Sequence, residues 1–200
     1  MRGSWALALV ALTFSTDAAA AARFEAVADS AQRVDALEPF LARYIGRCTD
    51  IYERRTCEAN VQAVRRAVAG KTFTVRIPDA APLVHAELQG DGFLLLVTPF
   101  VDGGGIALTH GAPARQDAAG HPVVNLIPIR GRLPPGTMDM EFQSPFRTGA
   151  IELEIVFQPV KAWRLPRKLE KGDYEGVAAR FIAVRVLDAR TGTEIASRVL

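Results

Sequence analysis

The spacing of apolar residues changes once along this chain, near residue 70. Before that point Phe24, Val27, Ala28, Ala31, Val34, Leu37, Leu41 and Ile45 recur every three or four positions, the repeat of one helix face. Pro39 interrupts the run, so it predicts two helices, the second starting around Glu38-Pro39, where a first turn tolerates proline. A further helix is expected from Glu53 to Ala69, with Cys57, Val61, Val64 and Val68 as its apolar stripe and Gly70 as its stop. From Lys71 onward the period is two. Phe73, Val75 and Ile77 alternate with polar residues, as do Val84, Ala86 and Leu88, then Met138, Met140 and Phe142, then Ile151, Leu153, Ile155 and Phe157. Ile106 to His110 and Val123 to Arg130 read as further strands. Phe181 to Leu187 and Glu194 to Leu200 read as a hairpin whose turn places Gly192 in a left-handed position.

Phe93 to Val101 is apolar on both alternating faces and lies between glycine-rich turns. It is therefore the expected centre of the fold, a strand covered on both sides and interrupted at Pro99, which cannot donate to a ladder. Short turns, about nine strands and no helical pattern after residue 70 define the expected class. It is α+β, an N-terminal helical segment followed by a mostly antiparallel β-sandwich or barrel-like domain.

The first residues change the picture of where this fold operates. Met1-Arg2-Gly3 is a short positive start, Trp5 to Phe14 is an apolar run of ten, and Ala18 to Ala22 offers A-x-A cleavage sites. This is the pattern of a secretory signal peptide, and ten apolar residues are too few for the roughly 20 that span a bilayer. Residues 1–22 are expected to be a leader, 23–70 the helical segment and 71–200 the β domain. No later stretch reads as transmembrane, and the style of the leader points to the bacterial periplasm or cell exterior.

Cys48 and Cys57 are the only cysteines, and an even count in an exported chain predicts a disulfide. Nine residues of unbroken helix rise about 13.5 Å, whereas bridged Cα atoms lie within about 7 Å. The helix must therefore break between them, at Gly46 and Thr49-Asp50, with Thr49 or Asp50 capping the next helix. With neither C-x-x-C nor a nearby histidine, the bridge reads as structural.

Candidate chemistry is sparse. The net charge of +2 gives no general case for nucleic acid, and only Ser30, Ser144 and Ser197 follow the leader. His85, His110 and His121 match no compact metal-ligand spacing, and Asp102 to Gly105 lacks the acidic pattern of a calcium loop. No nucleotide-binding or hydrolase motif occurs, so no cofactor, metal site or catalytic residue is assigned and enzymatic activity stays open. Asp139, Glu141, Glu152 and Glu154 would share an outer face if their strands pair, which keeps a carbohydrate hydrolase as an alternative. A structural or assembly component is another alternative. The leading expectation is an exported, non-catalytic binding or adaptor protein of the cell envelope. Its candidate docking residues are Lys161, Trp163, Arg164, Arg167, Lys168 and Lys171, in a segment with five cations and one anion in eleven residues. Read as a connecting loop kept out of helix or sheet by Pro166, that segment would offer basic side chains and an aromatic to an anionic envelope polymer, a lipid surface or a protein.

Overall fold

The computed structural model describes residues 15–80, 84–89, 92–97, 105–131, 150–167 and 172–200. Helix α1 spans Ser15–Ala28, strand β1 Gln32–Val34, helix α2 Leu37–Ile45 and helix α3 Arg54–Val68. Strands β2 Phe73–Ile77, β3 Val84–Gln89, β4 Gly92–Val97, β5 Ala107–His110 and β6 Ile127–Gly131 follow, then β7 Ile151–Pro166, β8 Asp173–Asp188 and β9 Glu194–Val199. The class is α+β, with N-terminal helices and then a β domain whose main sheet curls into a half-barrel.

The centre of that sheet is the antiparallel pair β7 and β8, each 16 residues long. The sheet runs β1-β2-β7-β8-β5, and β9 shares with β5 the remaining edge of β8. Register shifts at Val156/Phe157 and Pro159/Lys161 bend β7, as bulges do, and help the sheet curl. Its concave core holds Ile151, Leu153, Ile155, Phe157, Val184 and Val186, as the period-two pattern requires.

Helix α2 closes this core with Leu41, Tyr44 and Ile45, whose three- and four-residue spacing keeps them on one face. Phe40, Phe73 and Phe157 meet with ring centroids 5.0 to 6.0 Å apart and join α2 to β2 and β7. The opposite face of the sheet is covered by α1, where Phe24 is fully buried against Val156 and Ala183. The helical segment and the β domain therefore share buried surface on both sides of the sheet.

Several expectations change. Phe93 is within β4, but β4 is the middle strand of a separate three-stranded sheet, β3-β4-β6. Apolarity on both faces reports coverage; it does not report which strand has the longest partners. Residues 98–104 lie outside the described residues, including Pro99 and Asp102, as do residues 1–14 of the expected leader and the expected strand through Met138, Met140 and Phe142. Val34 belongs to β1, which pairs in parallel with β2, where helical spacing had placed it on a helix. A second parallel pair joins β5 to β8, and long connections precede both pairs, as parallel geometry demands. Nor is the basic segment a loop from residue 161: β7 continues to Pro166. That proline is the last residue of the strand, where its missing N–H interrupts nothing further.

Candidate functional site

The disulfide between Cys48 and Cys57 is formed, with Cα atoms 5.6 Å apart. The helical break falls at Gly46, which caps α2 with φ of 65°. A side chain there would run into Val61 of α3, so the close approach of the two helices also requires glycine. Neither Thr49 nor Asp50 caps α3. The Asp50 carboxylate instead accepts the Tyr52 N–H at 2.8 Å, an Asx turn inside the loop, and α3 starts after Glu53 without a side-chain cap.

This loop is one wall of a cleft of about 790 Å³ whose other wall is the β7–β8 end of the main sheet. Four arginines line it, Arg47, Arg65, Arg164 and Arg167, with Glu58, Asp173 and Glu175. Arg65 reaches back from α3, its Nε donating to the Tyr44 carbonyl at 2.9 Å and its Nη2 to the Ile45 carbonyl at 3.1 Å. These are end-of-helix carbonyls of α2, which lack helical partners and sit at the negative end of the helix dipole. The guanidinium also stands 5.5 Å over the Tyr44 ring, and burial raises the Tyr44 hydroxyl above the ordinary phenol range against the opposing charge of Arg65. No carboxylate among the described residues pairs with Arg65.

Glu175 is the buried hub, 8 % exposed. Its Oε1 accepts from Arg47 Nε at 2.5 Å and its Oε2 from Arg164 Nη2 at 3.0 Å, so each oxygen of the buried carboxylate has a cationic partner. Arg164 also lies 3.6 Å from Asp173. Arg167 stands 4.7 Å over the Tyr174 ring.

Among the sequence-predicted residues, Arg164 and Arg167 therefore enter the cleft. Trp163 does not present a surface. It is 9 % exposed, packs with Ala107 and Ala178, and donates from Nε1 to Thr109 Oγ1 at 3.0 Å. Neighbours in a strand point to opposite faces, so Arg164 turns toward the cleft while Trp163 turns into the packed layer. Gly176 leaves the space its indole fills. Lys161 is exposed on β7, and Lys168 and Lys171 lie outside the described residues. Arg47, Arg65 and Glu175 were not found by sequence reasoning. Their pairing spans 128 residues in the case of Arg47 and Glu175, and no local pattern signals it.

A family model describing a family of unknown function, DUF6066, matches residues 1–198. The chain belongs to this family. Neither curated proteins nor solved structures provide a significant match.

The two described residues of the expected acidic face are each paired with an arginine. Glu152 accepts from Arg76 Nε at 2.5 Å and Glu154 from Arg185 Nη2 at 2.6 Å, and neither lines the cleft; Asp139 and Glu141 lie outside the described residues. His110 accepts the Phe181 N–H at Nδ1 (3.2 Å), and burial lowers its pKa. His121 stands 3.7 Å from Asp117, and the side chain of His85 is outside the description. No group of three metal-ligating side chains occurs among the described residues, and none of their helices is long and apolar enough to cross a membrane.

Proposed function

We propose that the protein is an exported binding protein of the bacterial cell envelope and that its partner presents negative charge to the arginine cleft. The observation that carries this reading is the convergence of Arg47, Arg65, Arg164 and Arg167, from α2–α3 and β7, on one open cleft. Two of these cations are committed to Glu175, while Arg65 is fixed by backbone carbonyls and makes no ion pair with a described carboxylate. A guanidinium held in place by neutral groups is pre-organised for an anion. Lys168 and Lys171, which lie outside the described residues, add charge in the same stretch of sequence. A formed disulfide belongs to an oxidising compartment outside the cytoplasm, which agrees with the leader pattern of Met1 to Ala22.

The test uses dextran sulphate as an anionic polymer, with neutral dextran as its control. Arg164 stays in place, because reversing it would strand buried Glu175. The variant R167E/K168E/K171E should bind dextran sulphate about tenfold or more weakly at low salt, and a control with the same change in net charge, R33E/R115E/R180E, should lose far less. Equal losses in the two variants would show that net charge alone governs binding and would remove the cleft from the reading.

A further inference from the structure

We infer that the disulfide-bridged loop beside the cleft is a membrane-docking tip, and that the anionic partner is the phospholipid surface of a bilayer. This rests on the reading of the arginine cleft as an anion site. Ile51 and Tyr52 are adjacent in sequence and are 76 % and 98 % exposed, more than any other large apolar side chain described. They do not lie on a floppy segment. The Cys48–Cys57 bridge closes the loop, and the bond from Tyr52 N–H to Asp50 Oδ1 sets the turn at its apex. The fold thus holds two apolar side chains out in water.

A connecting turn needs no such residues, since polar ones cost less there. A protein partner normally covers about 800 Å² on each side, far more than two side chains present. A bilayer requires only a protruding tip with cations around it. Arg54 and Arg55 follow the tip and are exposed, and Arg47 precedes it. Cys48 and Thr49, at the base of the same loop, line the arginine cleft. Tyrosine suits the headgroup level, where its ring is in an apolar layer and its hydroxyl is wet. Asp50 and Glu53 balance Arg54 and Arg55 within the loop, so the positive charge beside the tip comes from the arginine cleft at its base. Stable attachment to a membrane generally needs two signals, and here they are apolar insertion and the cationic cleft at the base of the loop.

Vesicles of phosphatidylglycerol mixed with phosphatidylcholine, and vesicles of phosphatidylcholine alone, provide the test. The wild-type protein should sediment with the first and stay in solution with the second. I51S/Y52S should weaken vesicle binding by about tenfold or more and leave dextran sulphate binding and the circular dichroism spectrum unchanged, since both side chains lie in solvent and the net charge is kept. Tyr52→Trp should show a blue shift and quenching by brominated lipid on the phosphatidylglycerol vesicles. Vesicle binding that survives I51S/Y52S overturns the inference. Wild-type protein that binds dextran sulphate but neither vesicle overturns the lipid assignment and leaves the cleft reading standing. Failure on both ligands overturns the cleft reading itself, and this inference with it.

Discussion

Phe24 fixes α1 to the sheet. It is fully buried against Val156 and Ala183, and the Arg185 guanidinium lies 4.3 Å over its ring while pairing with Glu154 at 2.6 Å and with Glu25. Removing a buried phenylalanine costs about 3–5 kcal/mol, so Phe24→Ala should lower the urea midpoint by a corresponding amount. An unchanged midpoint would mean that α1 contributes little to stability. His110 gives a second expectation at this scale. Its Nδ1 accepts the Phe181 N–H, and burial depresses its pKa below the ordinary value of 6.5. The unfolded chain therefore binds more protons than the native one as pH falls below that value, so stability is full above it and declines beneath it. His110→Asn keeps an acceptor without the titration. Denaturation at pH 7.5 and at pH 5 should show a smaller loss for the variant than for the wild type, and equal losses would assign the pH dependence to other groups.

At the scale of elements, the loop between α2 and α3 is where covalent and sequence logic meet. The span from Cys48 to Cys57 is 9 residues, and a loop of that size is stabilised by about 2.5 kcal/mol in the chain-entropy description. C48A/C57A should therefore lower the unfolding free energy by about 2.5 kcal/mol, with the sheet intact by circular dichroism. The bridge and the break at Gly46 were legible because spacing and Cα geometry leave few alternatives. The hairpin of β8 and β9 was legible from alternation and Gly192. Strand β1 was not, because three residues of a helical-looking run, Gln32 to Val34, are drawn to the edge of β2 by tertiary pairing. The central place of β7 and β8 was hidden for a similar reason, since alternation fixes which face is buried and says nothing of the neighbour. For the site, the local excess of cations pointed to Arg164 and Arg167. Trp163 misled, because a strand turns consecutive residues to opposite faces. Arg47, Arg65 and Glu175 meet only through the packing of α2–α3 against β8.

At the scale of the whole molecule, the eleven residues from Lys161 to Lys171 carry an excess of four positive charges while the total is only +2. Segregated charge steers encounters and makes them salt-sensitive, with a Debye length of about 8 Å at physiological ionic strength. Export is tested by sequencing the N-terminus of protein recovered outside the cytoplasm. It should begin within a few residues of Arg23, and a start beyond Phe24 would remove a fully buried side chain and conflict with the fold. An intact Met1 in a cytoplasmic fraction would defeat the export claim. The central claim is that an anion docks at the arginine cleft, and amide chemical-shift mapping of the wild-type protein during titration with dextran sulphate tests it most directly. The account predicts that the perturbed amides cluster at residues 46–49, 62–65, 164–167 and 172–175, and that added salt reverses the shifts. Perturbations spread evenly over the exposed arginines, or centred on the face covered by α1, would contradict it.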